Sequence, residues 1–115
     1  MSPLDLVRLT PLMDRTRGQP QIAIGLVDGP VLLAHPDLAG QRIHQVSEKA
    51  AAACLQAAST ACMHGTFVAG ILCAKRESAA PAICPNCTLL VRPIFDESAP
   101  KNGDLPSASP GELAA

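Results

Sequence analysis

Asp28 and His64 are the residues of this sequence whose types and settings could do chemistry. A carboxylate beside an imidazole accepts the Nδ1 proton, fixes one tautomer and leaves Nε2 to take a proton from a hydroxyl nucleophile. His64 opens the run His64-Gly65-Thr66-Phe67-Val68-Ala69-Gly70, which reads as the start of a helix. Phe67, Val68, Ile71 and Leu72 recur at helical spacing and are expected to face a core, while Gly65, Ala69 and Gly70 let another backbone pack closely. At a helix mouth the positive end of the macrodipole disfavours a second positive charge, which suits a neutral imidazole acting as a base. Asp28 closes the branched apolar run at residues 22–27 and is followed by Gly29-Pro30. Taken alone, Asp28 could equally be a turn residue whose carboxylate caps backbone amides.

Two residues 36 positions apart need elements that bring them together. Residues 22–27 have the pattern of a strand buried on both faces of a parallel sheet, which puts Asp28 at its carboxyl end. In open α/β sheets functional residues gather at that edge, and a following helix mouth meets it there. The next strand candidate is residues 88–91, which should end at Pro93 because proline cannot donate to a ladder. Residues 4–15 read as a short helix broken at Pro11 and stopped by Gly18, covering one face of the sheet. The alanine-rich stretch 47–58 favours helix on propensity alone, and Lys75-Arg76-Glu77-Ser78 reads as a charged helix exit.

His64-Gly-Thr-Phe-Val-Ala-Gly70 resembles the histidine motif of the subtilisin-like serine proteases, and residues 22–31 followed by His35-Pro36-Asp37-Leu38 resemble their aspartate segment. The order, aspartate before histidine, is that of subtilisin. Asp28-Gly29-Pro30 is similar to the form found in subtilases that mature cyanobactin-type peptides. The resemblance implies a partial subtilisin-like α/β fold, a doubly wound and mainly parallel sheet of which this sequence holds the N-terminal portion. It also implies serine endopeptidase chemistry on a peptide or protein substrate, with Asp28 as orienting acid and His64 as general base. It covers residues 1–95, and residues 96–115, rich in Pro, Gly and Ser, are expected to form a mobile polar tail.

The family's Gly-Thr-Ser motif is missing, as is the segment that carries the oxyanion-hole asparagine, and Ser47, Ser59, Ser78, Ser98, Ser107 and Ser109 stand in no comparable context. The isolated chain is therefore expected to be inactive, and a complementary C-terminal half is a candidate partner. The other reading is a catalytically inactive remnant or interaction module of subtilase ancestry. No cofactor is expected: subtilases often bind calcium, but no oxygen-rich loop with ligand spacing is visible.

The 115 residues suffice for one modest core, 48% of them apolar, with Phe67 and Phe95 the only aromatics. A formal charge of −1 gives no electrostatic footprint for nucleic acid or an anionic membrane. No signal-peptide pattern and no run of about eighteen apolar residues is present, so the expected location is cytoplasmic. Five cysteines, Cys54, Cys62, Cys73, Cys84 and Cys87, leave at least one thiol free or paired between chains; a cytosol would keep all of them reduced, and the sequence leaves their redox state open. Cys84-x-x-Cys87 has the spacing of half a zinc knuckle that Cys54, Cys62, His35 and His44 could complete, which makes a zinc-binding module the third reading; a thiol pair or local disulfide at the Pro85-Asn86 turn is preferred.

Overall fold

The computed structural model describes residues 1–47, 53–97 and 105–114. Two short helices, α1 (Pro3–Leu6) and α2 (Thr10–Arg15), lead into β1 (Ala23–Asp28), β2 (Ile43–Gln45), α3 (Thr60–Cys73), β3 (Thr88–Pro93) and α4 (Pro110–Ala114). The three strands form one parallel sheet in the order β1-β3-β2, with Ala23 opposite Thr88, Asp28 opposite Pro93, and Ile43 opposite Leu89. Pro93 closes the central strand, as its missing donor requires. This is the α/β architecture expected, in partial form. None of the helices among the described residues is long and apolar enough to cross a membrane.

Among the described residues, one face of the sheet carries the core. Ile24 and Leu26 of β1, Leu89 and Val91 of β3 and Ile43 of β2 point to the side on which α3 packs, together with Val31, Leu38, Ala69, Cys73, Ala74 and Ala82. The alternate residues of β1, Ala23, Gly25 and Val27, are exposed, Val27 to 45%. Strand β1 is thus half-buried, a correction to the two-sided burial expected from its uninterrupted apolar run. On the opposite face Arg92 reaches α4, its guanidinium donating to the carbonyls of Glu112 at 2.8 Å and Leu113 at 3.3 Å. The expected tail at 96–115 falls partly outside the described residues.

The N-terminal segment is broken at Arg8, whose φ of 58° interrupts the helix, and Pro11 sits in the first turn of α2, where its missing N–H costs nothing. Met13 is the one buried residue of α2. What fastens this segment is Arg76, which donates to the carbonyl oxygens of Met13 (2.7 Å), Thr16 (2.8 Å), Ala82 (2.6 Å) and Ile83 (2.9 Å). Within the charged helix exit expected at residues 75–78, Arg76 is therefore an internal clamp joining α2 to the loop after α3. The expected helix over 47–58 does not form at residues 53–58, and residues 48–52 lie outside the described residues.

Candidate active site

Helix α3 begins at Thr60, four residues before His64. Ser59 caps it, its hydroxyl accepting from the Cys62 amide at 3.2 Å. His64 is therefore a full turn inside the helix, which corrects the expectation that it opens one. The dipole at the helix end falls off within that first turn and has little hold on the ring.

The buried residues of α3 are Ala61, Cys62, Gly65, Ala69 and Cys73, all small. Phe67 is 66% exposed, and Ile71 and Met63 are exposed with it, while Val68 and Leu72 are half-buried against the core. The helix thus turns its small face inward and much of its bulky face outward, against the expectation for Phe67 and Ile71. The reason is the segment after Asp28. Gly29, Pro30 and Val31 are buried against α3, and a Cβ on Gly65 would collide with the Pro30 carbonyl oxygen and stand 2.5 Å from that of Gly29. A Cβ on Gly29 would collide with the Ala61 carbonyl. Only small residues admit this backbone-on-backbone packing. Thr66 adds a tether, its hydroxyl accepting from the Leu32 amide at 2.9 Å.

The close approach brings the two candidate residues together. His64 Nδ1 lies 2.9 Å from Asp28 Oδ1, and the same oxygen accepts from the Gly29 amide at 2.6 Å. Asp28 is held from the backbone as well, since its carbonyl accepts from the Ile94 amide at 2.8 Å just past β3. The carboxylate is mostly covered, at 15% exposure, and the imidazole is open, at 65%. An acceptor fixed in this way beside one ring nitrogen can hold a neutral histidine as the Nδ1–H tautomer.

The other histidines stand elsewhere. His35 closes the turn after Val31, its Nδ1 accepting from the Asp37 amide at 3.1 Å, and His44 is exposed on β2. Among the described serines, Ser2, Ser59 and Ser109 accept from backbone amides at the starts of α1, α3 and α4. Ser78 is buried. A separate apolar groove of about 510 Å³ runs between the N-terminal segment and the outer side of α3, lined by Leu4, Leu9, Phe67, Ile71 and Pro81 among others. Neither Asp28 nor His64 lines it.

The cysteines need correction too. Cys54 and Cys62 are joined in a disulfide, so the five are not all thiols, and Cys73, Cys84 and Cys87 are free. The first pair cannot complete a zinc knuckle with the second. Cys54 and Cys62 do approach Glu97, within 4.8 Å between candidate ligand atoms, but the two sulfurs are bonded to each other. Glu97 itself organises the loop before α3, accepting from the amides of Leu55 (2.8 Å) and Gln56 (2.9 Å) and from the Ser59 hydroxyl (3.0 Å). Burial pushes its pKa up, but these three hydrogen bonds outweigh burial and hold the carboxyl below its ordinary value. Sequence reading missed Glu97, which no local pattern ties to partners about forty residues earlier.

The α/β fold, with its small parallel sheet in the order β1-β3-β2, is that of subtilisin-like proteases, of which this chain holds a part. Among the solved structures it resembles are peptide maturation proteases of the cyanobactin type. A serine-to-alanine mutant of the protease domain of PatA is similar over 89% of this chain, with 28% identity and a TM-score of 0.76. The prenylagaramide maturation protease PagA is similar over 92%, with 26% identity and a TM-score of 0.70. The PatG macrocyclase in complex with peptide shares the fold over 99% of this chain at 18% identity and a TM-score of 0.65. The chain spans 34%, 32% and 44% of these structures, respectively. No protein-family model and no curated protein matches the sequence.

Proposed function

We propose that this chain carries the acid–base half of a serine-type endopeptidase acting on peptide precursors, with Asp28 as the orienting acid and His64 as the general base. The observation that carries the reading is the 2.9 Å approach of His64 Nδ1 to Asp28 Oδ1, at the carboxyl end of a parallel strand, with the imidazole open to solvent. Asp28 holds the proton on Nδ1, and Nε2 is the nitrogen that takes a proton from a serine and returns it to the leaving amine. The serine and the oxyanion donors come from a further segment of subtilase type.

The open side of the molecule suits such a segment. Strand β1 pairs with β3 along one edge only, its alternate residues are exposed, and Met63, Phe67 and Ile71 present apolar surface on α3. A complementary segment can add a parallel strand to the edge of β1 that is unpaired among the described residues. Peptide substrate is supported by the kinds of protein that share the fold, two maturation proteases and a macrocyclase in complex with peptide.

The test is to co-express this chain with the C-terminal two-thirds of a PagA-type protease domain and to follow cleavage of a precursor peptide. Turnover should appear only when both are present. It should vanish in His64→Ala and fall by about 10⁴ in Asp28→Asn, because the amide favours the wrong tautomer. A tight complex with a reactive serine in which both substitutions leave the rate unchanged would reduce the motif to a mark of ancestry, which is the inactive-module reading.

A further inference from the structure

Cys73, Cys84 and Cys87 are the free thiols of the chain, and none has a role in the reading above. Cys73 is the last residue of α3, and Cys84 and Cys87 bracket the turn that leads into β3. The turn is closed by a hydrogen bond from the Cys87 amide to the Cys84 carbonyl at 3.1 Å. A β-turn of this kind keeps its end Cα atoms within about 7 Å, close to the span of about 4.4–6.8 Å that a disulfide needs.

The turn is held from three sides. The Cys84 amide donates to the Leu72 carbonyl at 2.9 Å, the Asn86 amide donates to the Arg17 carbonyl at 2.8 Å, and Gln41 Nε2 donates to the carbonyls of Cys73 (2.7 Å) and Pro85 (3.1 Å). Gly18 closes over the two sulfur-bearing side chains so tightly that a Cβ there would collide with Cys87 Sγ and lie 3.2 Å from Cys84 Cβ. Exposure separates the three thiols: Cys73 and Cys87 are buried, and Cys84 alone is partly open.

We propose that Cys84 and Cys87 are a reactive dithiol site that exchanges with low-molecular-weight disulfides, Cys84 being the entry thiol and Cys87 the resolving one. The Cys84 thiolate attacks one sulfur of the small disulfide, whose S–S bond breaks as one thiolate leaves, and a mixed disulfide forms on Cys84. Cys87 then loses its proton and attacks Cys84 Sγ, expelling the second thiolate. The two protein sulfurs end as a disulfide, and the two electrons they give up reduce the small disulfide to two thiols.

Cys73 stays out of the exchange. It is wholly buried, and its Sγ faces the Cys84 carbonyl at 3.9 Å. Burial, with the neighbouring Cys84 and Cys87, pushes its thiol up to about 12, which leaves almost no thiolate at neutral pH. Burial and Cys87 raise the Cys84 thiol as well, against a lowering by the Arg76 guanidinium, so its exchange is slow at neutral pH without being blocked.

The test is to equilibrate the full chain with oxidised glutathione, block remaining thiols with iodoacetamide under denaturing conditions, and map tryptic peptides by mass spectrometry. Cys84 and Cys87 share the peptide that follows Arg76, while Cys73 lies in a peptide ending at Lys75. The expected product is an internal disulfide in the first peptide, with Cys73 alkylated. In Cys87→Ser, one glutathione should accumulate on Cys84. A cross-link between Cys73 and Cys84, a stable glutathione adduct on Cys84 of the wild-type chain, or both thiols still free after a small reference thiol has fully reacted would each overturn the proposal. The wild-type map decides the matter even if the variant fails to fold.

Discussion

Gly65 of α3 sits on Gly29 so closely that a Cβ on Gly65 would lie 2.5 Å from the Gly29 carbonyl oxygen. The contact is between backbones, so nothing at the site can swing away as a flexible side chain would. Its effect is one residue removed on each side: Asp28 precedes Gly29, His64 precedes Gly65, and their side chains meet at 2.9 Å. The spacing of the proposed acid–base pair is thus set by two glycines that carry no chemistry.

Gly65→Ala tests this. Alanine favours a helix interior by about 1 kcal/mol over glycine, so on propensity alone the change should stabilise α3. Overpacking against fixed backbone costs about 1–3 kcal/mol and often more, and should win. The expected result is a net loss of up to roughly 2 kcal/mol in urea unfolding. A gain in stability would show that the close approach is not present in solution.

The inward face of α3 makes a second, opposite pair of expectations. Phe67 is 66% exposed and Ala69 is fully buried. Phe67→Ser should change the stability of this chain by only about 0.5 kcal/mol, as exposed substitutions do. Ala69→Leu should cost about 3 kcal/mol by forcing bulk between α3 and the sheet. Thermal unfolding of the two variants, each against the parent chain, checks the order, and a larger loss in Phe67→Ser would mean that the bulky face is the buried one.

These faces mark where the sequence stops being legible. Strand β1, the strand from Thr88 and the Asp28–His64 pairing all follow from apolar runs, a proline stop and motif spacing. The face of α3 does not, because bulky residues at helical spacing point to a core only where side chains fill it, and here the main chain of residues 29–31 occupies that space. The cap at Ser59 lies outside the run from His64 to Gly70, so that run by itself puts the helix start a turn late. Strand β2 has three residues and is defined by its pairing to β3 rather than by any pattern of its own. The Cys54–Cys62 bond and the Glu97 contacts join residues through space, and nothing local announces them.

Glu97 gives the pH dependence. Its hydrogen bonds hold the folded carboxyl below its unfolded value, so its contribution to stability is fully present above the ordinary glutamate range, near about pH 4.3, and is lost as pH falls through the lower folded value. Stability should therefore decline on acidification below about pH 4.3, and Glu97→Gln should flatten that part of the curve. Urea midpoints between neutral and strongly acidic pH make the comparison. Equal acid slopes in the two proteins would remove Glu97 from the account of the loop before α3.

The most direct measurement is the tautomer of His64, read from long-range proton–nitrogen correlations of the imidazole in the isolated chain with the ring neutral. Asp28 Oδ1 at 2.9 Å can only accept, so the proton should reside on Nδ1, leaving Nε2 unprotonated and available as a base. In Asp28→Asn the side-chain amide can donate to Nδ1 instead, and the proton should move to Nε2 while the fold is kept. A wild-type ring protonated on Nε2, or one indifferent to the substitution, would contradict the claim that Asp28 sets His64 up as a base.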